Sequence, residues 1–327
     1  MGEFELIDRF FRRARPASRQ VPLGIGDDCA LLAPAPGLQL AVSSDMLLEG
    51  RHFLSTVDPA RLGHKALAVN LSDLAACGAR PLAFTLSLAL PAVDEAWLEG
   101  FARGLFALAD AQGCELVGGD TTRGPLAIAI TAFGEVPPGQ ALLRDGARAG
   151  DDLYASGTLG DARLALEVFR GAVSVPAAVF ELARQRLEQP APRTALGQAL
   201  RGIASAAVDV SDGLLGDLGH VLRRSQVGAT VSAASALPLL AVRALAAGPA
   251  DLPDESRQLE FVLAGGDDYE LLFTAPADRR EAVAAAASAT ATPVTRIGRI
   301  DAEPGLRVVD GDGRELRGRF ASFDHFG

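Results

Sequence analysis

Aspartates recur in this chain in a form that points to cation and phosphate chemistry. Apolar, strand-like runs end in small residues followed by aspartate: LAVSSD carries Asp45, LVGGD carries Asp120, AAVDVSD carries Asp209 and Asp212, and FVLAGGDD carries Asp267 and Asp268. Asp27 and Asp28, in the loop Gly24–Asp28, and Asp73, in NLSD, add further acidic positions. Small residues let the backbone approach a ligand closely and expose N–H groups, whereas neighbouring carboxylates repel one another unless a cation lies between them. Oxygen donors without accompanying His or Cys suit Mg²⁺, which keeps waters and bridges carboxylates to phosphates. Each element also has a plain structural explanation. Asp-Gly at 212–213 is a common turn, Gly-Gly-Asp recurs in loops for backbone reasons, and Asp73 fits a solvated helix face. Repetition of one device at four places is what those explanations leave over. His52 alone reads as an ordinary satisfied histidine.

The elements that would position these residues follow from periodicity and punctuation. Phe4, Ile7, Phe10 and Phe11 predict a short amphipathic helix over 4–14. Residues 38–43 read as a strand ending in Ser44-Asp45, and Asp58-Pro59 as a helix start with Asp as N-cap and Pro at the first position, the helix running to Cys77 and stopped by Gly78. Residues 82–90 read as a strand, 94–111 as a helix, 115–117 as a strand turning at Gly118-Gly119-Asp120, and 126–136 as a strand. The Pro-, Gly- and charge-rich stretch 137–150 is the best linker. Beyond it, strands are expected near 152–156, 206–210, 229–233, 259–264, 270–274 and 294–300, and helices near 160–170, 178–187, 194–203, 214–224 and 278–289. The alternation makes each half α/β or α+β.

Composition removes several function classes. The chain has 327 residues, 49% hydrophobic and 22% charged, a length that favours two domains and an apolar fraction too high for disorder. A net charge of −10 argues against nucleic-acid binding, which needs clustered positive charge. No apolar run reaches the roughly 18 residues of a membrane span, and the acidic residues Glu3, Glu5 and Asp8 do not suit a secretory signal. Cys29, Cys77 and Cys114 are odd in number and lack CxxC spacing, which fits plain packing thiols in a reduced cytoplasmic protein. Lys65 is the only lysine, and His64-Lys65-Ala66 cannot form a Walker-A loop. Gly24-Ile25-Gly26-Asp27-Asp28 fails the dinucleotide fingerprint for want of its third glycine. Any nucleotide is therefore held by another device.

Nine segments in order carry a family resemblance: GEFELIDRF at 2–10, GIGDDCA at 24–30, SSDMLLEGRHF at 43–53, KALAVNLSDLAACGARP at 65–81, GGDTTRGP at 118–125, GARAGDDLYASGTLGDA at 146–162, DVSDGLLGDLGH at 209–220, GGDDYELLF at 265–273 and SFDHF at 322–326. With these the chain resembles the thiamine-monophosphate kinases, a family of the aminoimidazole ribonucleotide synthetase superfamily. The resemblance implies an N-terminal α/β domain over about 1–137 that dimerises through its sheet, and an α+β domain over about 148–327. It implies transfer of the γ-phosphoryl group of ATP to thiamine monophosphate in a cytoplasmic homodimer, with no nucleic-acid or membrane partner. By similarity Asp28, Ser43, Ser44, Asp45, Asp73, Asp120, Asp209 and Asp212 would bind several Mg²⁺ ions, the serines partly through backbone oxygen. Gly119, Asp120, Arg144 and Ser211 match ATP contacts, and His52, Asp267 and Phe323 match contacts to the thiamine ester. The family usually has Glu at the place of Asp267, and a larger or hydroxylated aromatic at the place of Phe323.

The implied chemistry is self-consistent. A phosphate acceptor, with its second pKa near 6, is mostly ionised at neutral pH and needs no general base. Repulsion is the obstacle, since two unit charges about 4 Å apart at an effective dielectric near 20 cost roughly 4 kcal/mol. Two other readings remain open: a superfamily relative that activates an amide or selenide with ATP, and a non-catalytic nucleotide or thiamine sensor. An early Cys or Sec nucleophile is lacking for the first, and the second would normally have lost some of the acidic ligands.

Overall fold

The computed structural model describes residues 2–13 and 18–316, and these divide into two compact units: the described residues up to 74 with 79–141, and 75–78 with 142–316. Among the described residues, no helix is long and apolar enough to cross a membrane.

The first unit opens with α1 (Glu3–Leu6) and a single wider π-type turn, Ile7–Phe11. The helix expected over 4–14 is therefore shorter, because Arg12 turns to an extended conformation. This winding buries Leu6, Phe10 and Phe11 and leaves Phe4 exposed. Then follow β1 (Gln39–Leu48), α2 (Pro59–Ala76), β2 (Arg80–Leu90), α3 (Glu95–Gln112), β3 (Glu115–Arg123) and β4 (Ala127–Val136). The Asp58 carboxylate accepts the N–H groups of Ala60 and Arg61 at the start of α2, and Asp94 caps α3 by accepting from Trp97. The four strands form one sheet in the order β1-β4-β2-β3, antiparallel except for the β2–β3 pair. Alternation is clear: Phe84, Leu86, Leu88, Ile128, Ile130 and Ala132 are buried on one face, while Thr85, Ser87, Ala89, Ala129 and Thr131 lie on the other, more open one.

Two strands run further than their sequences imply. β1 continues through Ser43-Ser44-Asp45, paired residue by residue with β4, so Asp45 lies within the strand opposite Ile130. β3 continues through Gly118-Gly119-Asp120, with Asp120 opposite Ser87, after a bulge between Phe84 and Thr85 of β2. Gly119 makes this possible: its φ is +141°, and a Cβ there would lie 1.8 Å from the Leu86 carbonyl oxygen.

The second unit contains β5 (Asp152–Ser156), α4 (Asp161–Phe169), α5 (Ala177–Glu188), α6 (Thr194–Ala199), β6 (Ala206–Asp209), α7 (Leu214–Ser225), β7 (Gly228–Ser232), α8 (Ala233–Ala236), α9 (Glu255–Ala264), β8 (Leu271–Ala275), α10 (Arg280–Ala289), β9 (Val294–Asp301) and β10 (Gly305–Val309). Its sheet has the order β10-β7-β9-β5-β8-β6, with only β10–β7 parallel. Both faces of the central strands are covered. Leu153, Ala155, Val208 and Leu272 pack with Leu164, Leu218 and Phe261, whereas Tyr154, Ala207, Leu271 and Phe273 pack with Leu196, Val283 and Ala286.

The strand expected at 259–264 is instead the end of α9. Asp254 caps that helix by accepting the Arg257 N–H, so LEFVLA is the buried side of a helix rather than a core strand. A short apolar run carries no period that separates the two. Residues 137–151 carry no regular secondary structure.

Candidate functional site

In the first unit, the alternation of β1 sorts the candidate residues. Ser43 donates its hydroxyl to Asp73 of α2, and the backbone N–H of Asp45 donates to Asn70 Oδ1 at 3.0 Å. Asn70 is buried and is itself fixed by donating to the Ala66 carbonyl at 3.1 Å. Asp73 lies one helical turn beyond Asn70, so α2 brings an amide and a carboxylate to the same stretch of β1. The Ser44 side chain points away from this group, with its Oγ 3.0 Å from Thr131 Oγ1 on the open face. Only the backbone of Ser44 is left to join Ser43 and Asp73. By register Asp120 shares the open face with Ser87, so its side chain is not gathered with Asp45 and Asp73. Asp28 is exposed in its glycine turn, its N–H donating to Asp27 Oδ1 at 2.9 Å.

His52 follows β1 in a tight turn. Its Nδ1 accepts the Leu48 N–H at 2.9 Å, which leaves the ring proton on Nε2. The buried Lys65 ammonium donates to the His52 carbonyl at 3.2 Å and holds the turn from α2.

In the second unit, Asp209 is the buried last residue of β6, and Ser211 and Asp212 form the loop into α7. The carboxylate that shapes this loop is Asp217, which sequence reasoning passed over. Its Oδ2 accepts the N–H groups of both Ser211 and Asp212 at 3.1 Å. Burial, reinforced by the charge of Asp212, pushes the Asp217 carboxyl up to about 7, against the two N–H groups and Arg144 that favour its ionised form. The usable signal was positional, a carboxylate in the first turn of a helix behind a DVSD loop. Arg144 is exposed, and its carbonyl accepts from Ser225.

The loop 265–270 lies against this one. Asp267 donates its N–H to the Ser211 carbonyl at 2.9 Å, and Tyr269 donates its N–H to the Val210 carbonyl at 2.8 Å. Glycines permit the approach: a Cβ on Gly266 would lie 2.5 Å from the Ser211 carbonyl oxygen, and one on Gly213, whose φ is +112°, would lie 2.8 Å from that of Gly265. Asp267 and Tyr269 both have left-handed backbones, at φ +66° and +51°. Between them Asp268 is fully buried, both its oxygens accepting from the Gly160 N–H, and burial raises its carboxyl well above the usual range.

Glu270, entirely inaccessible, completes the anchor. Arg193 binds it bidentately at 2.6 Å, Arg186 donates at 2.6 Å, and the Ser156 hydroxyl donates at 2.6 Å. Gly157 has no room for a side chain, since a Cβ would fall 2.0 Å from Glu270 Oε1. Phe323 lies outside the described residues.

Among the described residues, no group of three or more His, Cys, Asp or Glu side chains is gathered so as to hold a metal by itself. The donor chemistry nevertheless fits Mg²⁺, since Ser43, Asp45 and Asp73 in one unit and Asp209 and Asp212 in the other are oxygen donors without His or Cys. Mg²⁺ is normally held by one or two carboxylates with waters and substrate phosphates, rather than by an all-protein cage.

Comparison with known proteins follows the same division. The family model of the AIR synthase related protein N-terminal domain matches residues 26–136, and that of the C-terminal domain matches 148–311. The thiamine-monophosphate kinase of Salmonella typhimurium is 46% identical over 99% of this chain and 98% of that protein, and that of Haemophilus influenzae is 42% identical over 100% and 98%. The crystal structure of thiamine-monophosphate kinase from Stenotrophomonas maltophilia superposes with a TM-score of 0.81 at 46% identity, covering 96% of each chain. AaThiL complexed with AMPPCP and TMP superposes with a TM-score of 0.74 at 30% identity, covering 90% of this chain and 89% of that one. The hydrogenase maturation protein HypE in complex with ATP shares the fold, with a TM-score of 0.75 at 22% identity. Identity along the whole length, both domain models and the structural match together show that this chain belongs to the thiamine-monophosphate kinase family.

Proposed function

We propose that this protein transfers the γ-phosphoryl group of ATP directly to thiamine monophosphate, forming thiamine diphosphate and ADP, the last step in making that coenzyme. The observation that carries the reading is identity of 46% over 99% of the chain to a thiamine-monophosphate kinase. The related AaThiL, solved with AMPPCP and TMP, supports the pairing of an ATP-like donor with the phosphate ester.

Each residue has a chemical task in this reading. The acceptor phosphate is already an anion, so the absence of any histidine among the proposed metal and ATP contacts costs nothing in nucleophile activation. Several Mg²⁺ ions, held by oxygen donors from Asp28, Ser43, Ser44, Asp45, Asp73, Asp120, Asp209 and Asp212, would offset the repulsion between the two phosphates and favour in-line attack. Gly119 and Asp120, Ser211 and Arg144 contact ATP, with the Arg144 fork suited to two phosphate oxygens. His52 presents Nε2–H, a donor for the ester phosphate, because Nδ1 is occupied by the Leu48 N–H. Asp267 faces the cationic thiazolium side, and Phe323 stacks on it. No phosphoenzyme is required. The more open face of the first sheet, where Leu40, Val42, Met46 and Leu48 are 44%, 59%, 57% and 40% exposed, is the surface we assign to homodimer formation.

Purified protein with ATP, Mg²⁺ and thiamine monophosphate tests the proposal. The expected result is ADP and thiamine diphosphate in equal amounts, formed only when the ester is present. ADP formation indifferent to the ester, or tight binding without turnover, would replace this reading with that of another ATP-using superfamily member or of a sensor.

A further inference from the structure

We infer that Tyr269 is a positioning residue for the acceptor side of the reaction, its hydroxyl fixing the direction of the Asp267 carboxylate. The inference rests on the reading of Asp267 as a contact to the thiamine ester.

The argument begins with the backbone. Asp267 and Tyr269 are two of four non-glycine residues with positive φ among the described residues. Such conformations persist only when the surroundings over-determine them. Here they do, because Asp268 is locked to Gly160, Glu270 is locked to Arg186 and Arg193, and the N–H groups of Asp267 and Tyr269 are both tied to the loop 210–211. The main chain of Asp267 therefore has nowhere to swing. What remains is rotation of its side chain, and the Tyr269 hydroxyl acts on that, donating to Asp267 Oδ1 at 3.2 Å.

The tyrosine is a stiff anchor. The residue is 9% exposed, so the hydroxyl is delivered from a packed position rather than from a mobile one. A hydrogen bond to an ionised acceptor is stronger than a neutral one, and holding one oxygen sets the plane of the whole carboxylate. Contacts whose supporting groups are fixed in this way lose less freedom when a ligand binds. No atom of Tyr269 need touch the substrate for this effect.

The test is a double-mutant cycle on KM with Tyr269→Phe, Asp267→Asn and both together, each assayed against thiamine monophosphate and against ATP. Tyr269→Phe keeps the buried ring and loses only the hydroxyl. The expected result is a rise in KM for thiamine monophosphate of about fivefold to tenfold, the scale of one ordinary hydrogen bond, with KM for ATP changed less than about twofold. Asp267→Asn raises the same KM, and the double variant matches Asp267→Asn alone, because the hydroxyl acts through the carboxylate. Independent, multiplicative effects would overturn the inference, as would equal rises in both KM values with a lowered melting temperature, the mark of mere packing. If Asp267→Asn raises KM and Tyr269→Phe does not, the inference fails while the reading of Asp267 stands. If Asp267→Asn changes nothing, the reading of Asp267 fails and takes the inference with it.

Discussion

Glu270→Gln removes one charge from an inaccessible ionic group in the second unit, and its consequence can be worked through from the contacts. The wild-type carboxylate accepts four hydrogen bonds, two from Arg193 and one each from Arg186 and Ser156, all at 2.6 Å, with no exposure of its own. A glutamine keeps one oxygen acceptor and replaces the other oxygen with an NH₂ that must face donors. Arg193, 19% exposed, then loses its carboxylate partner, and Arg186, 14% exposed, keeps only the fields of Asp161 and Asp268. Breaking a buried pair in this way costs about 3–5 kcal/mol, far above the 0–1 kcal/mol of an exposed pair such as Arg314–Asp312. With a urea m-value of about 2 kcal/mol per M, the midpoint of the second unit falls by roughly 1.5–2.5 M. Far-UV circular dichroism follows the transition, while fluorescence of the single tryptophan, Trp97 in α3 of the first unit, reports the other unit separately. A circular-dichroism midpoint shifted by less than about 0.5 M, corresponding to roughly 1 kcal/mol, would refute the claim that this charge holds the 265–270 loop.

Other outcomes follow from the same contacts. Asp73→Asn is expected to abolish turnover with little change in melting temperature, because its side chain meets the Ser43 hydroxyl rather than the apolar core; preserved kcat at saturating Mg²⁺ would contradict this. In metal-free buffer, Asp217→Asn should flatten part of the pH dependence of stability. The folded carboxyl is raised from 3.8 to about 7, so the advantage it gives by holding a proton is complete below pH 3.8 and is lost as pH rises through 7. A shift of about 3 units bounds the difference between variant and wild type at roughly 4 kcal/mol, read from urea midpoints at pH 4 and pH 8. If the protein forms the dimer we propose, Val42→Glu, which puts a charge in the exposed apolar row of β1, should shift sedimentation from dimer to monomer, and a dimer unchanged by it would refute that contact. Gly157→Ala should fail to accumulate as folded protein, since its φ of +53° and the Glu270 carboxylate both oppose a Cβ; a normal melting curve would show that the 156–161 loop can yield.

Long periodic elements were legible in the sequence. β2 and α3 were placed to within a few residues, because alternation over 80–90 and the Asp94 cap each state a structure locally. Strand ends were not, because whether β1 stops at Asp45 depends on β4, eighty residues away, offering partners for three residues more. The strand expected at 259–264 failed for a related reason, the helix there being declared by Asp254 rather than by the apolar run. At the candidate site, the acidic residues were legible as types, while their sorting was not: Ser43 and Ser44 differ only in strand parity, and that parity decides which hydroxyl meets Asp73. Asp217 and Glu270 escaped because both act on neighbouring protein groups, through backbone N–H groups and arginines, and no ligand-binding pattern announces such work.

The facing glycines 213 and 266 have a bearing on how this enzyme family can change its acceptor. Wherever two loops touch main chain to main chain, neither can be remodelled alone, because a side chain added to one would push the other out of place. Enlarging residue 266 would therefore disturb the backbone at Ser211 and Asp212, the side we propose for the nucleotide, before any new acceptor preference could be measured. On the proposed reading of Asp267, side-chain changes there that tolerate its left-handed backbone keep its N–H bond to Ser211 and are the more promising route to altered specificity.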